Sequence, residues 1–271
     1  MSISHHERPD PLHTAVEIAR EAGAALLEAA RSPLEIREKA RRADLVTSAD
    51  RASEAIVLAR LRAAFPGAAI LAEESGASSG TNDERWIVDP LDGTTNFAHG
   101  YPIYCVSIAY ERAGELIAGA IYAPALDECF AAERGGGATL NGSPIHVSTI
   151  AALGDAMLCT GFHPADFERN GAHFGAISQV AQAVRRDGSA ALDLAYVACG
   201  RFDGFWEFDL HAWDVAAATL IVREAGGRVT QVGGGIAAVD AASILATNAE
   251  IHATLDAELA KVEQERIRGV R

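Results

Sequence analysis

The sequence lacks the features that mark several common classes of protein. It has no apolar run of about 18 residues, so we predict no membrane-spanning helix and no membrane partner. Its first ten residues are polar and charged and include no apolar segment, so we expect no secretory signal and a cytoplasmic location. The glycine-rich runs at residues 135 and 233 lack the spacings of nucleotide-binding loops and are typical of turns.

Cysteine pairs and basic residues are also scarce. The four cysteines are far apart in apolar surroundings, without C-x-x-C spacing, so we predict reduced and mostly buried thiols. Lys and Arg number 23 against 37 Asp and Glu, which gives a net charge of -14. Such a surface repels a nucleic-acid backbone, so we expect no direct nucleic-acid binding. It would also repel an anionic small molecule, so a phosphate-handling protein of this charge would need to recruit cations.

The patterns that are present predict a single domain over residues 1–271, built from two tightly packed halves of about 1–150 and 151–271. A strand-rich order followed by alternation predicts a mixed α/β (α+β) fold in layers. The segment 31–42 is predicted to be irregular or an edge strand. Predicted helices cover about 10–30, 47–65, 172–184, 190–198, 215–225 and 250 onward. Predicted strands cover 70–71, 86–88, 104–110, 116–122, 128–132, 156–159, 204–207, 228–232 and 243–246.

The most informative segment is Asp89-Pro-Leu-Asp-Gly93, which follows the apolar strand at 86–88. The strand brings two carboxylates to its carboxyl end, where they can share hard cations. Gly93 permits a tight turn, and Thr94 can begin a helix whose free N–H groups suit a phosphate. Taken alone, the same residues are also explained by an ordinary turn.

Two further acidic segments are less specific when each is taken alone. Glu73 and Glu74 follow an apolar strand, a pattern also typical of a solvated strand end. Asp214 precedes an apolar run and is also explained as a helix N-cap. His211 is interpreted as a structural neighbour of this helix start.

Taken together, these segments resemble the inositol monophosphatase family over nearly the whole chain. The matching motifs are Asp44-Leu-Val-Thr-Ser-Ala-Asp50, Glu73-Glu-Ser75, Asp89-Pro-Leu-Asp-Gly-Thr-Thr-Asn-Phe97, Gly188-Ser-Ala190, Trp213-Asp-Val-Ala-Ala217 and Glu224-Ala-Gly-Gly227. The resemblance implies a layered αβαβα sugar-phosphatase-type fold, a homodimer and Mg²⁺-dependent hydrolysis of a phosphate monoester.

The resemblance also implies a metal site with two or three Mg²⁺ ions. Its ligands would be Glu73, Asp89, the carbonyl of Leu91, Asp92 and Asp214, all hard oxygen donors. The three aspartates would hold a metal that stabilises the leaving alkoxide.

The catalytic water and the phosphate are assigned by the same resemblance. Glu73 and Thr94 would position and deprotonate the water, with Asp50 and Thr47 behind Thr94. The N–H groups of Gly93 and Thr94 would hold the phosphate. Lys39 either lies near the site, as in the family, or is one charge in a basic stretch.

For the substrate, the resemblance implies a small phosphorylated polyol, most directly myo-inositol monophosphate. The implied substrate contacts are Asp92, Gly93, Thr94, Gly188, Ser189, Ala190 and Glu207. Ala212 and Asp187 leave fructose 1,6-bisphosphate, histidinol phosphate and adenosine 3′,5′-bisphosphate open as substrates. A different class of function, binding to the transcription machinery, also stays open, although the complete set of metal carboxylates favours catalysis.

Overall fold

The computed structural model describes residues 9–38 and 45–269, so Lys39 and Asp44 lie outside the described residues. The first half contains α1 (Pro11–Ala29), β1 (Ile36–Glu38), β2 (Leu45–Thr47), α2 (Ser48–Ala64), β3 (Ala69–Ala72), β4 (Gly76–Ser78), β5 (Glu84–Asp92), α3 (Thr94–Ala98), β6 (Cys105–Arg112), β7 (Glu115–Ala123), β8 (Glu128–Glu133), β9 (Gly137–Leu140) and β10 (Ser143–Ile145). The second half contains β11 (Met157–Thr160), α4 (Phe167–Ile177), β12 (Ala183–Arg185), α5 (Ala190–Ala198), β13 (Gly204–Phe208), α6 (Ala212–Glu224), β14 (Arg228–Thr230), β15 (Ser243–Thr247) and α7 (His252–Ile267).

Two sheets organise these elements. The eight-stranded sheet has the order β10-β9-β8-β7-β6-β5-β3-β4, and its strands are antiparallel except for the parallel pair β3 and β5. The five-stranded sheet has the order β12-β11-β13-β15-β14, with parallel pairing from β12 to β13. The sheets divide the chain between residues 145 and 157. Whether the two halves act as one domain stays a prediction.

Helices separate and cover the two sheets. On one face of the eight-stranded sheet lie α1 and α2, and on the other lie α5 and α6, which also contact the five-stranded sheet. The outer face of the five-stranded sheet is covered by α4 and α7. Three hydrophobic clusters fill the spaces between these five layers. The predicted αβαβα layering is therefore confirmed.

Local sequence signals explain where the first helices begin. Asp10 caps α1 by accepting a hydrogen bond from the Leu12 N–H at 3.0 Å, and Pro11 occupies the first turn. Thr47 and Asp50 form a reciprocal capping box at the start of α2. The capping hydrogen bonds thus hold the Thr47 oxygen and the Asp50 carboxylate in fixed positions at the start of α2.

The strand that leads to the candidate site, β5, is anchored in an aromatic core. Trp86 packs edge-on against Phe65 and tilted against Tyr110, with ring centroids 5.0 and 4.9 Å apart. Trp86 and Tyr110 have no exposed surface, and burying a large apolar side chain contributes about 1.5–3 kcal/mol. This packing holds the base of β5, so its carboxyl end projects from a rigid support.

One predicted helix was wrong over its second part. The helix expected at about 172–184 starts earlier, at Phe167, and ends at Ile177, while residues 183–185 form β12. The β12 strand pairs in parallel with β11. This tertiary pairing, with the strand preference of Val184, overrides the local helical pattern. The strand expected at 228–232 ends earlier, at Thr230, and beyond it the Val232 N–H bonds to the side-chain hydroxyl of Ser243 and not to the backbone of β15.

Other predictions from the sequence are confirmed or refined. The segment expected to be irregular or an edge strand contains β1, which pairs with β2. The glycine-containing region near residue 137, predicted as turns, also forms β9 and β10. The cysteines are free, three of them buried and Cys199 half-buried. Across residues 9–38 and 45–269, the helices are all too short or too polar to cross a membrane.

Candidate active site

The turn after β5 places two carboxylates at one edge of the sheet. Asp89 is buried, with 2% of its surface exposed, and its Oδ1 accepts a hydrogen bond from the Leu91 N–H at 2.9 Å. The Ser53 hydroxyl donates to the Pro90 carbonyl at 2.7 Å. Pairing with β6 shifts register between Asp89 and Asp92. The backbone here leaves the regular ladder, so the carboxylates and the Leu91 carbonyl can turn towards a ligand.

Gly93 makes the turn from β5 into α3 feasible. Its φ is 89°, and a Cβ at this position would lie 2.8 Å from the Ile103 carbonyl oxygen. Both the left-handed backbone and the close contact require glycine. The helix starts at the next residue, so Thr94 follows directly on the carboxylate turn.

We therefore expect Gly93→Ala to destabilise the protein more than Gly114→Ala. Gly114 has a similar φ of 78°, but a Cβ added there would meet no atom within 4 Å, so its change tests backbone strain alone, about 1–2 kcal/mol. The Gly93 variant adds a steric contact worth about 1–3 kcal/mol. Urea denaturation of both variants measures the difference. Equal losses of stability would show that the Ile103 contact has no energetic role.

A chain of hydrogen bonds runs from α2 to Thr94. Asp50 Oδ2 accepts from the Thr47 N–H at 2.7 Å and from the Thr47 hydroxyl at 2.6 Å. The Thr94 hydroxyl lies 2.9 Å from Asp50 Oδ1 and 3.1 Å from the Leu91 carbonyl. Asp50 and Thr47 have no exposed surface. The arrangement fixes the Thr94 hydroxyl beside the carboxylate turn.

Four carboxylates from three segments of the chain lie close together at this turn. Burial raises the pKa of Asp89 well above its usual range, and the charges of Glu73, Asp92 and Asp214 raise it further. Desolvation, followed by the charge of Asp214, raises the pKa of Asp92 to about 7, although hydrogen bonds from Ser189 and Ala191 act in the opposite direction. Such mutual repulsion is relieved by a cation. Because every donor is a hard oxygen, the set fits a divalent ion such as Mg²⁺.

The remaining two of these carboxylates come from β3 and α6. Glu73 follows β3, and its N–H donates to the Val88 carbonyl of β5 at 3.2 Å. Asp214 lies in the first turn of α6, where its Oδ2 accepts from the His211 N–H at 2.7 Å. The N-cap of α6 is therefore His211, and Asp214 is the third helical residue of a capping box, so the alternative interpretation of Asp214 as the N-cap itself was wrong by three positions. Asp214 also lies close to Asp89 and Asp92. His211 stacks on Trp213, with ring centroids 4.7 Å apart.

Known proteins resemble the chain over most of its length. The model of the inositol monophosphatase family matches residues 9–267. The chain belongs to the inositol monophosphatase family. It is 48% identical to an inositol-1-monophosphatase of Mesorhizobium japonicum over 216 residues, 78% of this chain and 81% of that protein. It is 41% identical to the Nus factor SuhB of Pseudomonas aeruginosa, over 88% of this chain and 91% of that protein.

A solved structure gives the same result for the fold. The inositol monophosphatase from Anabaena (Nostoc) superposes with a TM-score of 0.84 at 44% identity, covering 92% of this chain and 95% of that chain. The family is metal-dependent, and the cluster of hard oxygen donors at the end of β5 is consistent with that property. The resemblance inferred from the sequence motifs is therefore confirmed.

A cavity of about 610 Å³ opens beside the carboxylate turn. Its lining contains two predicted metal ligands and several predicted substrate contacts. These residues are Asp92, Asp214, Gly188, Ser189, Ala190 and Glu207. A second cavity of about 630 Å³ elsewhere contains none of the predicted site residues. Among the described residues, the first cavity is therefore the candidate substrate site of this family member.

The loop that contains the predicted substrate contacts is hydrogen-bonded directly to Asp92, a predicted metal ligand. Gly188 has a φ of 84°, and Ser189 precedes the start of α5. The Ser189 hydroxyl and the Ala191 N–H both donate to Asp92 Oδ2, at 2.7 and 2.8 Å. Any movement of this loop would therefore move a proposed metal ligand.

Glu207, on β13, also lines this cavity. Only 8% of its surface is exposed, and a Cβ on Gly161 would lie 2.2 Å from its Oε2. Burial raises the pKa of Glu207 well above its usual range, and the charges of Asp214 and Asp193 add to the effect. Gly161 thus leaves the room that this carboxylate needs at the cavity wall.

The structure adds residues that the sequence did not point to. Ser53 orients the Pro90 carbonyl, and Asn96 Nδ2 donates to the Ile103 and Asp187 carbonyls at 2.7 and 2.8 Å. Asn96 belongs to the Asp89–Phe97 motif, so its position in the motif was a usable signal. The sequence around Ser53 contains no such signal, because its hydrogen-bond partner, the Pro90 carbonyl, is distant in the chain.

Proposed function

We propose that this protein hydrolyses a phosphate monoester, most directly myo-inositol monophosphate, to the alcohol and phosphate. The supporting observation is the close approach of Glu73, Asp89, Asp92 and Asp214 beside a cavity that Glu207 also lines. With the Leu91 carbonyl, the four carboxylates would hold two or three Mg²⁺ ions. When bound, Mg²⁺ would neutralise the phosphate oxygens and make water at the site more acidic.

The residues of the chain then have separable roles. The Thr94 hydroxyl has one proton, and donating it to Asp50 Oδ1 leaves a lone pair to orient the attacking water. Glu73 accepts the proton of that water as general base. The N–H groups of Gly93 and Thr94, at the start of α3, donate to the phosphate. Asp50 acts through Thr94, because Thr47 holds its other oxygen.

On the alcohol half of the substrate, Glu207 accepts hydrogen bonds from ring hydroxyls, with Gly188, Ser189 and Ala190 shaping the adjoining wall. A hydrogen bond to a charged group contributes about 1.5–3 kcal/mol. We expect Glu207→Ala to lower kcat/KM for inositol 1-phosphate by about 10- to 150-fold. Hydrolysis of p-nitrophenyl phosphate, which has no ring hydroxyls, should change little.

General damage to the fold would lower kcat/KM equally for inositol 1-phosphate and p-nitrophenyl phosphate, so it cancels in the ratio of the two losses caused by Glu207→Ala. Equal losses on both substrates would make Glu207 a structural residue and remove the main residue-level support for inositol. The phosphatase proposal would still stand, because the carboxylate cluster does not depend on Glu207.

Lithium should inhibit the enzyme more strongly than sodium. Li⁺ is close to Mg²⁺ in size but has half the charge, so it can take a Mg²⁺ position without supporting turnover. Phosphate release measured in LiCl and NaCl at equal ionic strength checks this. Equal effects of the two salts would indicate charge screening instead of site binding.

A substrate panel tests the choice of alcohol. Inositol 1-phosphate should give the highest kcat/KM, above fructose 1,6-bisphosphate, histidinol phosphate and adenosine 3′,5′-bisphosphate. A higher value for any of the other three would transfer the proposal to that substrate.

We further propose a cytoplasmic homodimer, for which light scattering should give about twice the chain mass of 28.4 kDa.

The relatives named Nus factor SuhB fit the alternative function, binding to the transcription machinery, in part. Catalysis remains the primary proposal because the whole set of metal carboxylates is present. A variant without activity, such as Asp92→Asn, separates the two functions, since it would remove turnover and leave surface binding intact.

A further inference from the structure

A second cluster of metal-binding side chains lies outside the proposed magnesium ligands. Cys159 is on β11, Asp187 lies in the loop before α5, and Asp193 is in the first turn of α5. One potential ligand atom from each lies within 4.8 Å of the other two. Asp187 and Asp193 also line the 610 Å³ cavity, with Cys159 behind them.

Asp193 is the feature of this cluster that the fold does not explain. Only 1% of its surface is exposed, and neither carboxylate oxygen has a hydrogen-bond partner. A buried carboxylate without a partner is costly, and the nearby charge of Asp187 increases that cost. The Cys159 thiol and the Ser189 N–H lie close enough to offset part of that cost, but neither reaches full hydrogen-bond geometry with the carboxylate. A cation held between the three side chains would remove this penalty.

We propose that Cys159, Asp187 and Asp193 form a binding site for a thiophilic divalent metal of the zinc class. A sulfur ligand beside two carboxylates suits Zn²⁺ or Co²⁺ and does not suit Mg²⁺, which prefers oxygen donors alone. Three protein ligands leave one position of a tetrahedral ion open. Because Asp187 and Asp193 line the cavity, that position would face a ligand bound there.

The geometry needs only a small adjustment. Three atoms 4.8 Å apart lie about 2.8 Å from their common centre, compared with Zn bond lengths of about 2.0–2.3 Å. Each side chain would therefore move by less than about 1 Å, within the reach of a rotamer change. Asp187 is half-buried and sits in a loop, which makes that movement feasible.

Binding also accounts for the thiol proton. Burial, with the charge of Asp193, raises the pKa of Cys159, so the thiol stays protonated without a metal. A coordinating metal deprotonates a thiol outright, and the proton is released to solvent. The sulfur–metal bond forms as the S–H bond breaks heterolytically, and no oxidant or reductant is involved.

Cobalt is the probe that separates this site from the magnesium site. Co²⁺ bound to a thiolate gives an intense charge-transfer absorption in the near ultraviolet, and Co²⁺ bound to oxygen ligands does not. We expect this band in the full-length protein with saturating Mg²⁺ present. It should disappear when Zn²⁺ is added, because Zn²⁺ displaces Co²⁺ from the same ligands.

Two cysteine variants locate the metal. Cys105 Sγ lies 3.8 Å from Asp92 Oδ2, so it is the other thiol close to a carboxylate cluster and the matched control. The band should persist in Cys105→Ser and be lost in Cys159→Ser. Asp193→Asn keeps both thiols and should weaken Co²⁺ binding by at least about 10-fold, since removing even an outer partner of a metal ligand costs 10- to 100-fold.

Three results would overturn the proposal: no band in the parent protein, a band that survives Cys159→Ser, or a band lost only in Cys105→Ser. The last would place the metal beside Asp92. Circular dichroism establishes that each variant is folded. If Cys159→Ser does not fold, Asp193→Asn decides the question, because unchanged Co²⁺ affinity in that variant refutes the site. None of these readouts depends on phosphatase activity.

Discussion

Asp92→Asn is expected to abolish phosphatase activity almost completely while the fold is retained. The substitution keeps the shape of the side chain and an oxygen that can accept from Ser189 and Ala191. It removes one charge from the proposed Mg²⁺ ligands, and a metal supplies several kcal/mol of transition-state stabilisation. Turnover of inositol 1-phosphate at saturating Mg²⁺ should therefore fall by about 10³-fold or more.

The metal-free Asp92→Asn protein should be no less stable than the parent. The folded-state pKa of Asp92, about 7, lies above its usual value of 3.8, so its ionisation destabilises the folded state as pH rises through that interval. Asparagine removes this cost at pH 8, where urea denaturation can measure it. Asp155→Asn, in an exposed turn, is the matched control and should retain parental activity. A folded Asp92→Asn enzyme working at the parental rate would show that the metal assignment is wrong.

Glu73→Gln is expected to cause the other large loss. The change preserves the shape of the side chain but removes the proposed base and one ligand charge. Loss of a general base costs about 10²–10⁴-fold, so kcat should fall at least that far. Steady-state kinetics across a range of Mg²⁺ concentrations separate the effect on kcat from the effect on metal affinity.

The adjacent carboxylate provides the control for Glu73. Glu74 belongs to the same motif, but its N–H is bonded to Glu54 Oε2 at 3.0 Å and it has no role in the proposed reaction. Glu74→Gln should retain most of the activity. If Glu73→Gln weakened only Mg²⁺ affinity and left kcat nearly unchanged, Glu73 would be a metal ligand and not the base.

The sequence predicted those parts of the molecule that depend on short, specific patterns. The Asp89–Phe97 motif combines a strand end, a glycine with positive φ and a helix start, so its local structure could be read directly. The start of α2 was predicted in the same way, since a helix was expected from about residue 47. The five layers followed from the family resemblance carried by these motifs, and the structure has them.

Features that depend on distant partners could not be predicted. The segment 183–185 becomes a strand because it pairs with β11, and its own residues do not indicate that β11 will lie beside it. The Ser53 contact with Pro90 spans 37 positions in the chain. The isolation of the Asp193 carboxylate is likewise a property of the packed interior, since its sequence position shows only an acidic residue near a helix start.

The central claim is that the carboxylates gathered at the end of β5 form a Mg²⁺-dependent phosphatase site. Its most direct test is phosphate release from inositol 1-phosphate by protein stripped of metal with EDTA, before and after Mg²⁺ is restored. We predict negligible release from the stripped protein and saturable recovery with added Mg²⁺. Full activity of the stripped protein, or none on any phosphate monoester after Mg²⁺ is restored, would contradict this account.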